Sequence, residues 1–304
     1  MTLASQNDQA QDLIRRFLQQ TRGFDISGYS PSFVSRSIRK RTGRTGCSSP
    51  LQYVALLRRD DDEVNELISA LSINVTDFFR DDDAFRALST LVLRPLVSQK
   101  VEQGWSALRV WSAGCATGQE TYTVAMCVAE ELRRLRTDSA LVVRIVGTDL
   151  SSKALAYAQR GTYTPEQVKG VPRRLLAEYF TRTESGYEIL PSIRRDVKFS
   201  EGNLLNRPDR KFFDLVVCRN VVIYFSRPMH DRVITNFHAA LKAGGYLMLG
   251  RTETLLGRPR QMFDLVDHEN RIFRKLAAGA AEEAVQTPPS AIRGVSDRAD
   301  LRFS

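Results

Sequence analysis

The sequence predicts an α/β fold: a doubly wound, mostly parallel sheet preceded by a small all-α N-terminal domain and interrupted by a small β insert. Three observations carry that expectation. From Leu108 to Lys275 short apolar runs alternate with helical patterns, the rhythm of a parallel sheet covered on both faces. Upstream of Ser72 the apolar spacing is helical. Gly186-Tyr-Glu-Ile189 looks like a short strand inside Tyr163 to Arg195, a connection longer than a simple crossover, which places the β insert at about 180–195.

The totals are those of a soluble globular chain. It has 304 residues, 42% hydrophobic and 26% charged. No apolar run approaches the roughly 18 residues of a membrane span, and Met1 to Ala10 is too polar for a secretory signal, so a cytoplasmic protein without direct membrane insertion is expected. Cys47, Cys115, Cys127 and Cys218 lack paired spacing, and His230, His238 and His268 have no ligand-like neighbours, so no metal is expected. The formal charge of +9 favours a negatively charged partner without choosing among nucleic acid, lipid and protein.

In chain order, Leu13, Ile14, Phe17 and Leu18 mark one face of a first helix. Ser30 before Pro31 is an N-cap with proline at the first helical position, opening a helix over Ser32–Arg41 that buries Phe33, Val34 and Ile38. That helix and its exit carry Arg36, Arg39, Lys40, Arg41 and Arg44, with no acidic residue between Pro31 and Arg59. Such a run is either a solvated surface or a concentrated docking face. Ser49-Pro50 repeats the cap before two short helices around Tyr53–Leu57 and Val64–Leu71.

Ile73 to Arg80 links this module to a further helix, where Asp81 to Asp83 place negative charge at the amino end. Phe85, Leu88, Leu91, Val92 and Leu96 form its apolar face, and Pro95 kinks or ends it. Phe78 and Phe79 read as core anchors, whereas Asn74, Thr76 and Arg80 have no obvious structural need. Beyond lie strands over Leu108–Ser112, Leu141–Val146, Asp196–Phe199, Phe213–Cys218, Tyr246–Leu249 and Arg271–Lys275. Helices fall at Gln119–Arg136, Ser152–Gln159, Arg173–Tyr179 and Arg227–Leu241. The domain plan is 1–72 helical, 73–104 linker and connecting helix, 105–276 sheet domain and 277–304 a disordered tail.

Ligands of such sheets bind beyond the carboxyl ends of the strands, and four polar segments fall there. Gly114 to Gly118 is a strand-to-helix turn that either cradles a nucleotide-like cofactor or is a plain tight connection. Asp149, after the second strand, accepts from ribose hydroxyls or caps the next helix. Asn203-Leu204, after the third, either meets an adenine edge or makes a turn. Arg219-Asn220, with Tyr224 after them, leaves the apolar fourth strand where polar burial is costly.

Asn74-Val-Thr-Asp-Phe-Phe-Arg80, Trp111-Ser-Ala-Gly-Cys-Ala-Thr-Gly-Gln-Glu120, Gly147-Thr-Asp149 and Cys218-Arg-Asn-Val-Val-Ile-Tyr-Phe225 resemble, in order and spacing, the CheR chemoreceptor glutamate methyltransferases. The likeness covers about Asp12 to Lys275. It implies a class I methyltransferase domain that uses S-adenosyl-L-methionine, yields S-adenosyl-L-homocysteine and forms glutamate methyl esters on the cytoplasmic helical region of chemoreceptors, for sensory adaptation. By the same resemblance Asn74, Thr76, Arg80, Gly114, Glu120, Asp149, Asn203, Leu204, Arg219 and Asn220 bind the cofactor. Arg80, Arg219 and Tyr224 are the candidates to orient the reacting carboxylate, and the resemblance implies that the arginine-rich helix faces the receptor. Where the family usually has Glu-Glu-Pro-Tyr-Ser, this chain has Gln119-Glu120-Thr121-Tyr122-Thr123, with one carboxylate fewer and no proline at the helix entry. The expected protein is a monomer that does not act on nucleic acid. Two other readings are a methyltransferase of nucleic acid, against which stands the lack of an Asn/Asp-Pro-Pro-Tyr motif, and a cofactor-sensing receptor adaptor without turnover.

Overall fold

A Ser-Pro pair opens two of the four amino-terminal helices, and an aspartate, Asp60, stands before a third. In the computed structural model, which describes residues 3–71, 76–104, 107–135, 141–255 and 257–276, these are α1 (Leu3–Arg22), α2 (Pro31–Arg44), α3 (Pro50–Leu57) and α4 (Asp61–Leu71). Ile14, Leu18, Phe33, Ile38, Tyr53, Leu57 and Leu67 close their core. Ser49 caps α3 as expected, accepting from Gln52 N at 3.2 Å. Ser30 does not cap α2 with its side chain: its Oγ pairs with Ser32 Oγ at 2.9 Å, while its backbone N–H donates at 3.0 Å to the carbonyl of Tyr224, far along the chain. Asn74 and the expected tail lie outside the described residues.

The connecting helix does not stop at Pro95. α5 (Asp82–Ala87) runs into a π-helical stretch, Leu88–Leu93, and continues as α6 (Arg94–Glu102). Pro95 sits in the first turn of that segment, where its missing N–H is least costly. The wider turn rotates the apolar face, so Leu91 is 41% exposed while Leu93 is buried. Lys100 anchors α6, with Nζ 3.0 Å from Asp214 Oδ1 and 2.8 Å from the carbonyl of Ala107.

The strands are β1 (Ala107–Ala113), β2 (Val142–Asp149), β3 (Thr162–Tyr163), β4 (Phe180–Thr183), β5 (Gly186–Ile189), β6 (Val197–Glu201), β7 (Phe213–Cys218), β8 (Leu241–Leu249), β9 (Phe263–Asp267) and β10 (Ile272–Lys275). The main sheet has the order β6-β2-β1-β7-β8-β10-β9, and β3-β5-β4 form the small insert. From β6 to β8 all pairs are parallel, and β10 is antiparallel to both its neighbours. β9 escaped the sequence reading because Asp264, Leu265 and Val266 are all exposed on this edge strand, which leaves no alternation.

Leu108, Val110, Val143 and Ile145 face the layer of α6 and α7 (Gln119–Leu135). The same side carries α8 (Ser152–Arg160), α9 (Arg173–Tyr179) and α10 (Pro191–Arg194). On the other side Trp111 meets Phe237 of α11 (Arg227–Ala240), ring centroids 5.3 Å apart. Among the described residues no helix covers the α11 side of β2 and β6, so the expectation that both faces are covered is met there on one face only. Residues 202–212 join β6 to β7 without a helix, so this connection only borders that half, with Asn206, Pro208 and Arg210 beside Val146 and Thr148.

The helical module packs against the segment after β7. Tyr29 bridges to Phe225 with rings 5.1 Å apart, Ser226 N donates to Gly28 O at 2.5 Å, and Met229 joins the module's core.

Candidate functional site

The turn after β1 is built from residues in left-handed conformation: Gly114 at φ +75°, Ala116 at +47° and Gly118 at +93°. The N–H groups of Gly114 and Cys115 both donate to the Thr148 carbonyl, at 2.8 and 3.0 Å. A Cβ on Gly114 would lie 2.7 Å from Val221 Cγ2, so only glycine lets the turn meet the loop after β7. Asp149 is buried, and its oxygens accept from Ala116 N and Ser151 N, each at 2.9 Å. Burial raises its pKa while those N–H groups pull it down. Helix α8 is capped by Ser151, whose Oγ accepts from Ala154 N, so Asp149 is not the N-cap itself.

The loop after β7 is held by a residue the sequence reading missed. Buried Glu253 accepts from five backbone N–H groups: Asn220 at 2.9 Å, Val221 and Val222 at 2.8 Å, Ile223 at 3.3 Å and Gly250 at 2.6 Å. These bonds hold Asn220 at φ +60° and cap the 3-10 turn Val222–Tyr224. The signal was present: Glu253 follows the apolar end of β8, just as Asp149 ends β2.

Arg219 does not present its guanidinium for a substrate. Its side chain is 2% exposed, Nη1 donates to the Arg80 carbonyl at 2.8 Å, Nη2 to Asp81 Oδ2 at 2.5 Å, and the group lies 5.0 Å from the Phe85 ring centre. It therefore fixes the linker rather than a reacting carboxylate. Asp81, expected to favour the start of α5, spends its carboxylate on Arg219 instead. Glu120 accepts from Ser112 Oγ at 3.0 Å; burial pushes its pKa up to about 7, against the opposing charge of Arg219.

Two clefts meet over these loops. The first, about 590 Å³, is lined by Asp149, Asn203, Leu204 and Tyr224, and on the module side by Phe24, Tyr29 and Leu71. The second, about 390 Å³, is lined by Thr76, Arg80, Glu120 and Arg219. They share Gly114, Asn220 and Val221. Every described residue expected at the cofactor thus borders one continuous groove. Asn203 also makes a turn, its Oδ1 accepting from Leu205 N at 3.0 Å.

The basic helix divides. Arg36, Arg39, Lys40 and Arg44 are exposed. Arg41 is not part of that face: it is buried, with Nε 2.9 Å from Glu63 Oε1, Nη2 2.5 Å from Glu63 Oε2 and Nη1 3.1 Å from Glu66. Helical geometry turns position 41 inward with Val34 and Ile38, and α4 supplies its counter-charges.

Residues 74–272 match the CheR methyltransferase SAM binding domain, and residues 10–72 match the CheR methyltransferase all-alpha domain. The chain belongs to the CheR methyltransferase family. It is 34% identical over 252 residues to chemotaxis protein methyltransferase 1 of Pseudomonas aeruginosa, covering 82% of this chain and 91% of that protein. With the chemotaxis protein methyltransferase of Borreliella burgdorferi it shares 32% identity over 211 residues, 68% of this chain and 74% of that one. An uncharacterized 104.1 kDa protein of Rhodobacter capsulatus is 36% identical over 253 residues, and there the chain covers 26% of the relative's length.

The CheR cofactor is S-adenosylmethionine, and the groove fits it. Among the described residues Asn220 Oδ1 is buried without a hydrogen-bond partner and borders both clefts, as befits an acceptor kept for a ligand. The acceptors differ in character along the groove: Asp149 suits ribose hydroxyls, Glu120 suits an ammonium group, and Leu204 supplies an apolar wall. No group of three or more metal-ligating side chains occurs among the described residues.

Proposed function

We propose that this CheR-family chain transfers a methyl group to glutamate side chains in the cytoplasmic helical region of chemoreceptors, forming methyl esters for sensory adaptation. The observation that carries the reading is the meeting of the two clefts at Gly114, Asn220 and Val221, with Asp149 on one side and Arg80 and Glu120 on the other. S-adenosylmethionine, when bound, supplies an electrophilic sulfonium methyl. Asp149 would hold the ribose, Asn220 the adenosine side and Glu120 the ammonium of the methionine portion.

A glutamate, with an ordinary pKa of about 4.3, is already an anion near neutral pH. No general base is required. The chain's contribution is therefore alignment and exclusion of water. Arg80, in the second cleft, and Tyr224, in the first, flank the loop that Glu253 holds rigid and are the candidates to orient the incoming carboxylate. Arg219 acts one step back by fixing the carbonyl of Arg80. The exposed Arg36, Arg39, Lys40 and Arg44 supply a cationic face for an acidic receptor helix.

The deciding experiment incubates the protein with methyl-labelled cofactor and cytoplasmic fragments of receptors from its own genome. Base-labile label on glutamate is the expected result. Label in nuclease-sensitive material, or cofactor binding without transfer to any receptor, overturns the reading.

A further inference from the structure

The open half of the sheet, on the α11 side of β2 and β6, bears charges that neither the fold nor the methyl-transfer site uses. Parallel register sets Arg109 directly beside Arg144, and Val146 between Trp111 and Lys198. Like charges placed opposite one another destabilise a sheet. A trough of about 1300 Å³ runs over these strands, lined by Arg109, Arg144, Arg195, Lys198, Arg210 and Lys211 against a single acid, Asp196. Among the described residues only Arg195 of these six has its side-chain cation within 4 Å of a carboxylate, Asp196 at 3.9 Å. The floor between the cations is aliphatic: Val142 is 47% exposed and Val146 half-buried.

We infer that this trough docks an acidic amphipathic helix from a partner protein. A parallel sheet ordinarily has a helix over each half of both faces, and α11 covers only the β1–β7–β8 half of this one. The vacancy has the place of the crossover helix that residues 202–212 do not form. Its shape selects the occupant. An apolar floor flanked by cations complements a helix whose apolar stripe is edged by Glu and Asp. Single-stranded nucleic acid instead needs successive exposed rings for stacking, and the one ring lining the trough, Phe213, is buried. The trough continues, through shared Val146, Arg210 and Phe213, into a second cleft of about 1000 Å³ bordered by Gly202 and Asn203. That second cleft also carries the acids Glu201 and Asp209, so the docked acidic helix stays over the trough, and Arg109, Arg144 and Lys198 lie outside the cofactor groove.

The test uses the full chain and a fluorescent synthetic helix of about 20 residues, Leu and Ala along one stripe with Glu on both flanks. Anisotropy is expected to report salt-sensitive binding that falls about tenfold in the combined variant Arg109→Ser, Arg144→Ser, Lys198→Ser. S-adenosylhomocysteine affinity is expected to stay unchanged in that variant, which shows that it is folded. Equal peptide binding by the variant overturns the site. A single-stranded RNA oligonucleotide that binds more tightly than the peptide, with the same residue dependence, overturns the choice of partner. Peptide binding that emerges only after deletion of residues 277–304 assigns the trough to the chain's own end and overturns an external partner.

Discussion

Glu120 is a buried acid whose pKa stands near 7 in the cofactor-free fold, against an ordinary value of 4.5. Between those values the folded state holds a proton that the unfolded state has released, so this group lowers stability as pH rises through 7. A ligand ammonium beside it reverses the preference and expels the proton. S-adenosylhomocysteine binding is therefore expected to weaken from pH 8 to pH 6, with proton release detectable by calorimetry in buffers of different ionisation enthalpy; a flat profile contradicts the role. Asp149→Ala removes the acceptor proposed for the ribose, and hydrogen bonds to a charged group contribute about 1.5–3 kcal/mol. A 10- to 100-fold rise in S-adenosylhomocysteine Kd is expected, on the order of one to two decades. Asp149 was legible because it is polar at the end of an apolar strand, and Glu120 because it follows the glycine turn in the motif that carries the family resemblance. Glu253 obeys the same rule as Asp149, but the five N–H groups it satisfies come from two loops, and only folding brings those together.

At the scale of the helix, α2 has two basic populations with opposite consequences. Arg36, Arg39 and Lys40 are solvent-facing, and their combined replacement by alanine is expected to raise the KM for receptor several-fold while leaving the Kd for S-adenosylhomocysteine and the Tm unchanged. Arg41→Ala strands buried Glu63, a loss of about 3–5 kcal/mol that denaturant unfolding would register. If Arg41→Ala instead affected only receptor binding, the buried assignment would be wrong. The run of cations was plain in the chain, yet its division was not, because the partner carboxylates Glu63 and Glu66 lie on α4. The π-helical stretch before Pro95 has the same character: proline announces a disturbance, and packing chooses a wider turn over a stop.

Across the molecule, the helical module forms one wall of the groove through Phe24, Tyr29 and Leu71. Gly28 keeps that contact close: a Cβ there would lie 3.0 Å from Met229 Cβ and would also force the end of the Met229 side chain to move. Gly28→Val is expected to push the module away and weaken S-adenosylhomocysteine binding, although no residue proposed to bond the cofactor is altered; unchanged affinity would mean that the module is dispensable to the groove. By itself the chain determined the alternation of strands and helices, the glycine turn, the acids at the strand ends and the basic character of α2, because periodicity, turn chemistry and side-chain charge are local properties. Tertiary structure alone decided which arginines are free, which face of the sheet stays open and which carboxylate organises the loop after β7. Those outcomes depend on which distant groups supply counter-charge, cover or hydrogen bonds, and no local pattern encodes such partners.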